Sequence, residues 1–341
     1  MFEKVKKVMS AEEARERIPM TPDLLKIKKE RDEQIEAIID GRDKRKLIIM
    51  GPCSADNEDA VVDYVTRLAR LAEEVKDKFL VMPRIYTGKP RTKGEGYKGM
   101  MHSPDPHSKN TDIEGGILHL RHMHIRAIRE SGLTAADEML YPDNLDYVLD
   151  ILSYIAVGAR SAENQQHRLV ASGIDVPVGI KNPMNGSFPV TLNSIYAAQI
   201  PNEFKYGGYQ VKTTGNKYAH AVLRGSVNVY GNNIPNYHYE DVVRFHAMYM
   251  QQGLANPAVI IDTNHSNSGK NPYEQIRIAK EIFGNMIYPD FNSMVKGLLI
   301  ESYIKDGNQS VDGCEYGKSV TDACLGWEKS EALIKDLAAM I

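Results

Sequence analysis

The stretch from Lys46 to Tyr86, KLIIMGPCSADNEDAVVDYVTRLARLAEEVKDKFLVMPRIY, decides the fold. It begins with an apolar run, Leu47 to Cys53, that reads as a strand covered on both faces. A polar SADN follows, and then EDAVVDYVTRLARLAEEVKDK carries its apolar residues at helical spacing. From Phe79 to Tyr86 the strand pattern returns. Strand, helix and strand in that order make one crossover unit, which leaves its two strands parallel.

Working outward, the same alternation recurs. Strand-like runs stand at Leu133 to Glu138, Ala156 to Arg160, Val176 to Lys181, Ala221 to Arg224, Ala258 to His265 and Gly297 to Ser302, with helical stretches such as YEQIRIAKEIFG between most of them. About eight units predict an α/β fold, a closed (β/α)8 TIM barrel over residues 47–341, with an open doubly wound sheet as the alternative. Residues 1–46 read as a polar, helical N-terminal extension. The segment NEFKYGGYQVKTTGNKYAHAV reads as a β-hairpin inserted before the sixth strand.

Composition narrows the function classes. The 341 residues are 42% hydrophobic and 26% charged, an ordinary balance for a folded chain rather than a disordered or membrane-embedded one. A net charge of -3 gives no global attraction to nucleic acid or anionic lipid, so neither is expected as a partner. The N-terminal residues lack the apolar core of a secretory leader, and three cysteines are too few for a disulfide framework. A cytoplasmic location is expected, with thiols free to act as ligands.

Active sites of such barrels collect at the C-terminal ends of the strands. Each predicted strand carries a charged or ligating residue there: Cys53, Arg84 (with Lys89 and Arg91 in the next loop), Glu138, Arg160, Lys181, Arg224, His265 and Glu301. Singly, a strand-end arginine caps a sheet or faces solvent, and a small thiol packs. Together they describe a site. Arg84, Lys89, Arg160, Lys181 and Arg224 in one mouth are costly without an anion among them. The forked arginines and compact lysines suit a small molecule with both carboxylate and phosphate, a description that phosphoenolpyruvate fits. Cys53, His265 and Glu301, with Asp322 just past the last strand, form a mixed sulfur, nitrogen and oxygen set suited to a divalent transition metal with an open position.

The motifs GPCS, RIYTGKPRT, GARSAENQQHR, PVGIKN, LRG, IIDTNHSNSGK, ESYIKDGNQS and YGKSVTDACLGWE occur in an order and spacing that resembles the type I alpha 3-deoxy-D-arabino-heptulosonate 7-phosphate (DAHP) synthases, from about Lys46 to Ile341. The resemblance implies a metal-dependent barrel that condenses phosphoenolpyruvate with erythrose 4-phosphate. It implies metal ligation by Cys53, His265, Glu301 and Asp322, the metal being Mn, Fe, Co or Zn. Phosphoenolpyruvate would be held by Arg84, Lys89, Arg160, Lys181 and Arg224, and the aldehyde substrate by Pro90, Arg91 and Thr92. Lys89 and Lys181 are candidate proton donors, on the expectation that burial and neighbouring cations lower a lysine pKa; Glu138 is a candidate for orienting water, and Asp322 for a catalytic role beside its ligation.

The chain departs from the family pattern in a longer loop after KPRT, in Pro183, in Asn264 and in Asp175. Two rivals remain at this level: the sister synthase acting on a five-carbon sugar phosphate, and a non-catalytic metabolite-binding barrel. A homodimer or homotetramer is expected. Asp175 leaves feedback open between inhibition by phenylalanine or tyrosine and no aromatic inhibitor.

Overall fold

The computed structural model describes residues 1–89, 96–108 and 110–341. The eight expected strands form one sheet: β1 (Lys46–Gly51), β2 (Phe79–Pro83), β3 (Ala136–Glu138), β4 (Tyr154–Val157), β5 (Val178–Lys181), β6 (His220–Leu223), β7 (Val259–Asp262) and β8 (Val295–Glu301). Every neighbouring pair is parallel, and β1 lies between β2 and β8. The remaining gap, between β2 and β3, is bridged in parallel by Arg84 and Ala136, where the Ile85 N–H donates to the Ala136 carbonyl at 2.9 Å. A sheet bridged end to end in this way is the TIM-barrel arrangement.

Alternation along each strand explains the two apolar layers. Leu47, Ile49, Leu80, Met82, Tyr154, Val222, Ile260 and Leu299 fill the barrel interior, while Ile48, Met50, Val81, Ile155, Ile261 and Leu298 face the surrounding helices. The helix Glu58–Glu74 begins at the Asn57 cap, whose side chain accepts from the Ala60 N–H, and buries Val61, Tyr64, Val65 and Leu68 on one face.

The N-terminal segment forms two helices, Ala11–Arg17 and Pro22–Ile39. Ile35, Ile38 and Ile39 join the interior layer, so this segment closes the barrel at the N-terminal ends of the strands. The expected hairpin is present as Glu203–Tyr206 paired antiparallel with Tyr209–Lys212. Gly207 and Gly208 turn it with φ of 55° and 87°, values that suit a two-glycine turn. A second ribbon, Ser226–Val227 with Asn233–Ile234, was not expected from sequence. No described helix is long and apolar enough to cross a membrane.

Candidate active site

Three strand ends fall where the apolar runs stop: β3 at Glu138, β5 at Lys181 and β8 at Glu301. Others stop earlier. β1 ends at Gly51, β4 at Val157 and β7 at Asp262, so Cys53, Arg160 and His265 stand on the turns beyond. His265 takes a left-handed φ of 49°, a backbone region where histidine is among the few enriched side chains.

The Cys53, Glu301 and Asp322 ligand atoms all lie within 4.8 Å of one another. His265 stands at the edge of this group, with Nε2 3.8 Å from Glu301 Oε1. Glu301 is buried in a set of donors: Arg84 Nη2 at 2.9 Å from Oε1, and Asn264 Nδ2 at 2.6 Å from Oε2. Burial pushes its carboxyl up, but Arg84, His265 and Lys89 outweigh that and hold it below the usual carboxylate range. Asp322 follows the same pattern, with burial opposed by Lys89 and by Lys270, whose Nζ lies 3.1 Å away.

Lys89 donates to the Cys53 carbonyl at 2.9 Å and approaches its Sγ at 2.7 Å. Its pKa is raised, against the expectation from crowding. Burial and Arg84 do act downward, but the acidic groups Cys53 and Glu301 outweigh them. The Cys53 thiol is pushed up by burial and Glu301 in spite of Lys89 and Arg84.

Lys181 Nζ lies between two carboxylates, 3.8 Å from Glu138 Oε1 and 3.9 Å from Asp262 Oδ2. Arg224 donates to Ser266 Oγ at 3.1 Å, and Arg84 covers the Tyr86 ring with Cζ 3.7 Å from its centre. Arg160 is exposed at the rim and lowers the Arg224 pKa after burial and Asp262 have had their larger effects. Pro90, Arg91 and Thr92 lie outside the described residues, as do the first three residues of the longer loop.

Three supporting residues were missed in the sequence. Asp262 Oδ2 lies 2.8 Å from His265 Nδ1, an electrostatic contact whose angle falls outside hydrogen-bond geometry. His265, Lys181 and Arg224 overcome its burial and hold it well below the usual carboxylate range. Gln275 clamps the Glu301 backbone from both sides, accepting from its N–H and donating to its carbonyl, each at 2.9 Å. Asn264, noted only as a departure, holds Glu301 directly. The signal for Asp262 was available, as a carboxylate closing an apolar run.

The donor set fits a divalent metal: sulfur, imidazole and two carboxylates converge, and the anionic groups are already opposed by positive charge. Arg84, Lys89, Lys181 and Arg224 face Glu138, Asp262, Glu301 and Asp322, so the pocket is poised for both a cation and anionic substrates.

The model of the DAHP synthetase I family matches residues 24–335. A Tyr-sensitive phospho-2-dehydro-3-deoxyheptonate aldolase of Salmonella typhimurium is 37% identical over 313 residues, covering 89% of this chain and 84% of that protein. The Phe-sensitive enzyme of Escherichia coli K12 is 38% identical over 314 residues, covering 89% and 86%. The solved structure of a phospho-2-dehydro-3-deoxyheptonate aldolase from Francisella tularensis SCHU S4 superposes with a TM-score of 0.92 at 29% identity, over 100% of this chain and 98% of that one.

Proposed function

Because the chain belongs to the DAHP synthetase I family, the enzymes of the first step of aromatic biosynthesis, we propose that it condenses phosphoenolpyruvate with erythrose 4-phosphate to give 3-deoxy-D-arabino-heptulosonate 7-phosphate and phosphate. The observation that carries this reading is the Cys53, Glu301 and Asp322 group beside Arg84 and Lys89, at the end of a barrel where such sites form.

In this reading Cys53, His265, Glu301 and Asp322 hold a divalent metal, which supplies Lewis acidity toward the aldehyde oxygen. Arg84, Lys89, Arg160, Lys181 and Arg224 bind the carboxylate and phosphate of phosphoenolpyruvate and fix its methylene carbon toward the aldehyde carbon, a positioning effect worth up to about 7–11 kcal/mol. Lys181, held between Glu138 and Asp262, is placed to deliver a proton, and Glu138 to orient the water that adds as phosphate leaves. Pro90, Arg91 and Thr92 take the sugar phosphate. Residues 1–46 act as an extension of the 47–341 barrel, within a homodimer or homotetramer.

Product formation from the two substrates, with protein stripped of metal and then restored, tests the reading. No turnover after restoration sinks it. Arg224→Ala is expected to raise the KM for phosphoenolpyruvate roughly ten- to a hundredfold and Arg91→Ala that for erythrose 4-phosphate, each with little effect on the other. Equal effects would show the two anion sites to be misassigned. We also propose that phenylalanine or tyrosine inhibits, since relatives are named for sensitivity to these amino acids. An initial rate unmoved by either, or reduced by tryptophan alone, contradicts this.

A further inference from the structure

A buried carboxylate that no ligand or substrate assignment uses lies one residue before Glu138. Asp137 belongs to β3, between Ala136, which faces the barrel interior, and Glu138, which reaches the site. Strand alternation turns Asp137 the other way, toward the helix Ile113–Ser131. It is 4% exposed in a layer built mainly from apolar side chains. A carboxylate there costs stability that an apolar residue would not, unless donors meet it.

Its hydrogen-bond donors are Thr87 and the neighbouring Glu138 N–H, which reaches Oδ1 at 2.6 Å. Thr87 gives both of its own, the backbone N–H to Asp137 Oδ1 at 3.0 Å and the hydroxyl to Oδ2. His124, buried on the helix, lies nearby with Nε2 3.4 Å from Oδ2, a contact outside hydrogen-bond geometry. No lysine or arginine forms a salt bridge with Asp137 among the described residues. The carboxylate therefore ties β3 to Thr87, and Thr87 opens the segment that carries Lys89.

From Thr87 the chain is held at each step. The Thr87 carbonyl accepts from the Met100 N–H at 2.8 Å, Gly88 bridges Gly99, and the Lys89 N–H donates to the Lys98 carbonyl at 3.1 Å. A Cβ on Gly99 would meet the Thr87 oxygen at 2.3 Å, so the two sides approach as closely as glycine permits. Lys89 then reaches Cys53. Beside Thr87, Gly88 and Asp137 lies a cavity of about 50 Å³, room into which the segment could shift if its tie were cut.

We propose that Asp137 is a positioning residue. Through Thr87 it sets where Gly88 and Lys89 sit, and so how Lys89 meets the Cys53 group and the substrate. The kinetic part of this inference rests on the function proposed above; the structural part does not.

Hydrogen exchange read by mass spectrometry on the unliganded protein, alongside steady-state kinetics for both substrates, tests it with Thr87→Val, Thr87→Ser and Asp137→Asn. Valine keeps the shape and loses the hydroxyl, whereas serine retains it. Thr87→Val and Asp137→Asn should speed exchange selectively in peptides spanning residues 84–100, and kcat/KM should fall by roughly ten- to a hundredfold, as for loss of a bond to a charged group. Thr87→Ser should restore both. Exchange at the wild-type rate in that segment overturns the inference. So does acceleration spread over the whole barrel, which would mark a merely structural role, or unchanged kinetics in an active enzyme. If the wild-type protein fails to turn over the two substrates, the function proposal falls alone, and the exchange comparison still decides whether Asp137 holds the segment.

Discussion

Cys53 has a second thiol beside it in the fold. Its backbone N–H points to Cys324 Sγ at 3.3 Å, and both residues are fully buried. A metal would keep Cys53 as a bound thiolate, and without one the two sulfurs are available to each other. Metal-free protein exposed to dissolved oxygen should therefore lose activity with formation of a Cys53–Cys324 disulfide, prevented by metal or by a thiol reductant. Peptide mapping that finds Cys324 reduced in inactivated protein would refute the pairing. A different residue contributes to acid stability. His220 sits inside the barrel, its Nε2 2.9 Å from the Tyr154 hydroxyl, and burial lowers its pKa to about 4. The unfolded chain, at about 6.5, binds the proton that the folded chain refuses, so this contribution to stability is present above pH 6.5 and is lost as pH falls toward 4. Between pH 7 and pH 5 the wild type should lose roughly 2 kcal/mol more than His220→Gln, measured by denaturant unfolding at each pH. Parallel losses in the two proteins would show that another group carries the effect.

At the scale of the element, the strand ends place the chemistry. Where β1 ends, at Gly51, the chain lies close against the end of β2, and a Cβ on Gly51 would lie 2.2 Å from the Arg84 carbonyl oxygen. Pro52 follows, and its carbonyl accepts from Arg84 Nη1, so this one turn positions both Cys53 and the arginine that holds Glu301. Gly51→Ala must push the β1 and β2 ends apart. The expected cost is about 1–3 kcal/mol in unfolding free energy, with a raised KM for phosphoenolpyruvate as Arg84 leaves its place. A variant of unchanged stability and KM would show that the backbone absorbs the methyl without moving Arg84.

For the molecule as a whole, Arg121 helps fasten the N-terminal segment to the barrel. The Arg121 guanidinium, buried on the helix Ile113–Ser131, pairs with Asp150 at 2.7 and 2.9 Å and donates to the Ile18 carbonyl just past the first helix. It also donates to the Tyr147 carbonyl at 2.5 Å, while Leu24 packs nearby with Ile125, Ile128 and Ile151. Removing the charge leaves Asp150 and two carbonyls without their donor. Arg121→Met should thus open residues 1–21 to trypsin well before the barrel is cut. Digestion at the wild-type rate and positions would mean that the other contacts, among them Arg15 with Asp146 and Tyr147 with Met9, hold the segment without it.

The alternation of strands and helices was determined by the sequence itself, because the two periodicities are local properties of a chain. So were the ends of β3, β5 and β8, where Glu138, Lys181 and Glu301 close their apolar runs. The hairpin was readable from its paired glycines. Tertiary structure alone decided the rest. It stopped β4 at Val157 and β7 at Asp262, leaving Arg160 and His265 on turns, since a strand ends where its neighbours cease to pair and not where its apolar run ends. It joined Asn264 and Gln275 to Glu301 across strands that are neighbours only in the assembled barrel. It also reversed the expected direction for Lys89, because the sign of a pKa shift depends on which charges lie nearest in space, and sequence spacing does not contain those distances.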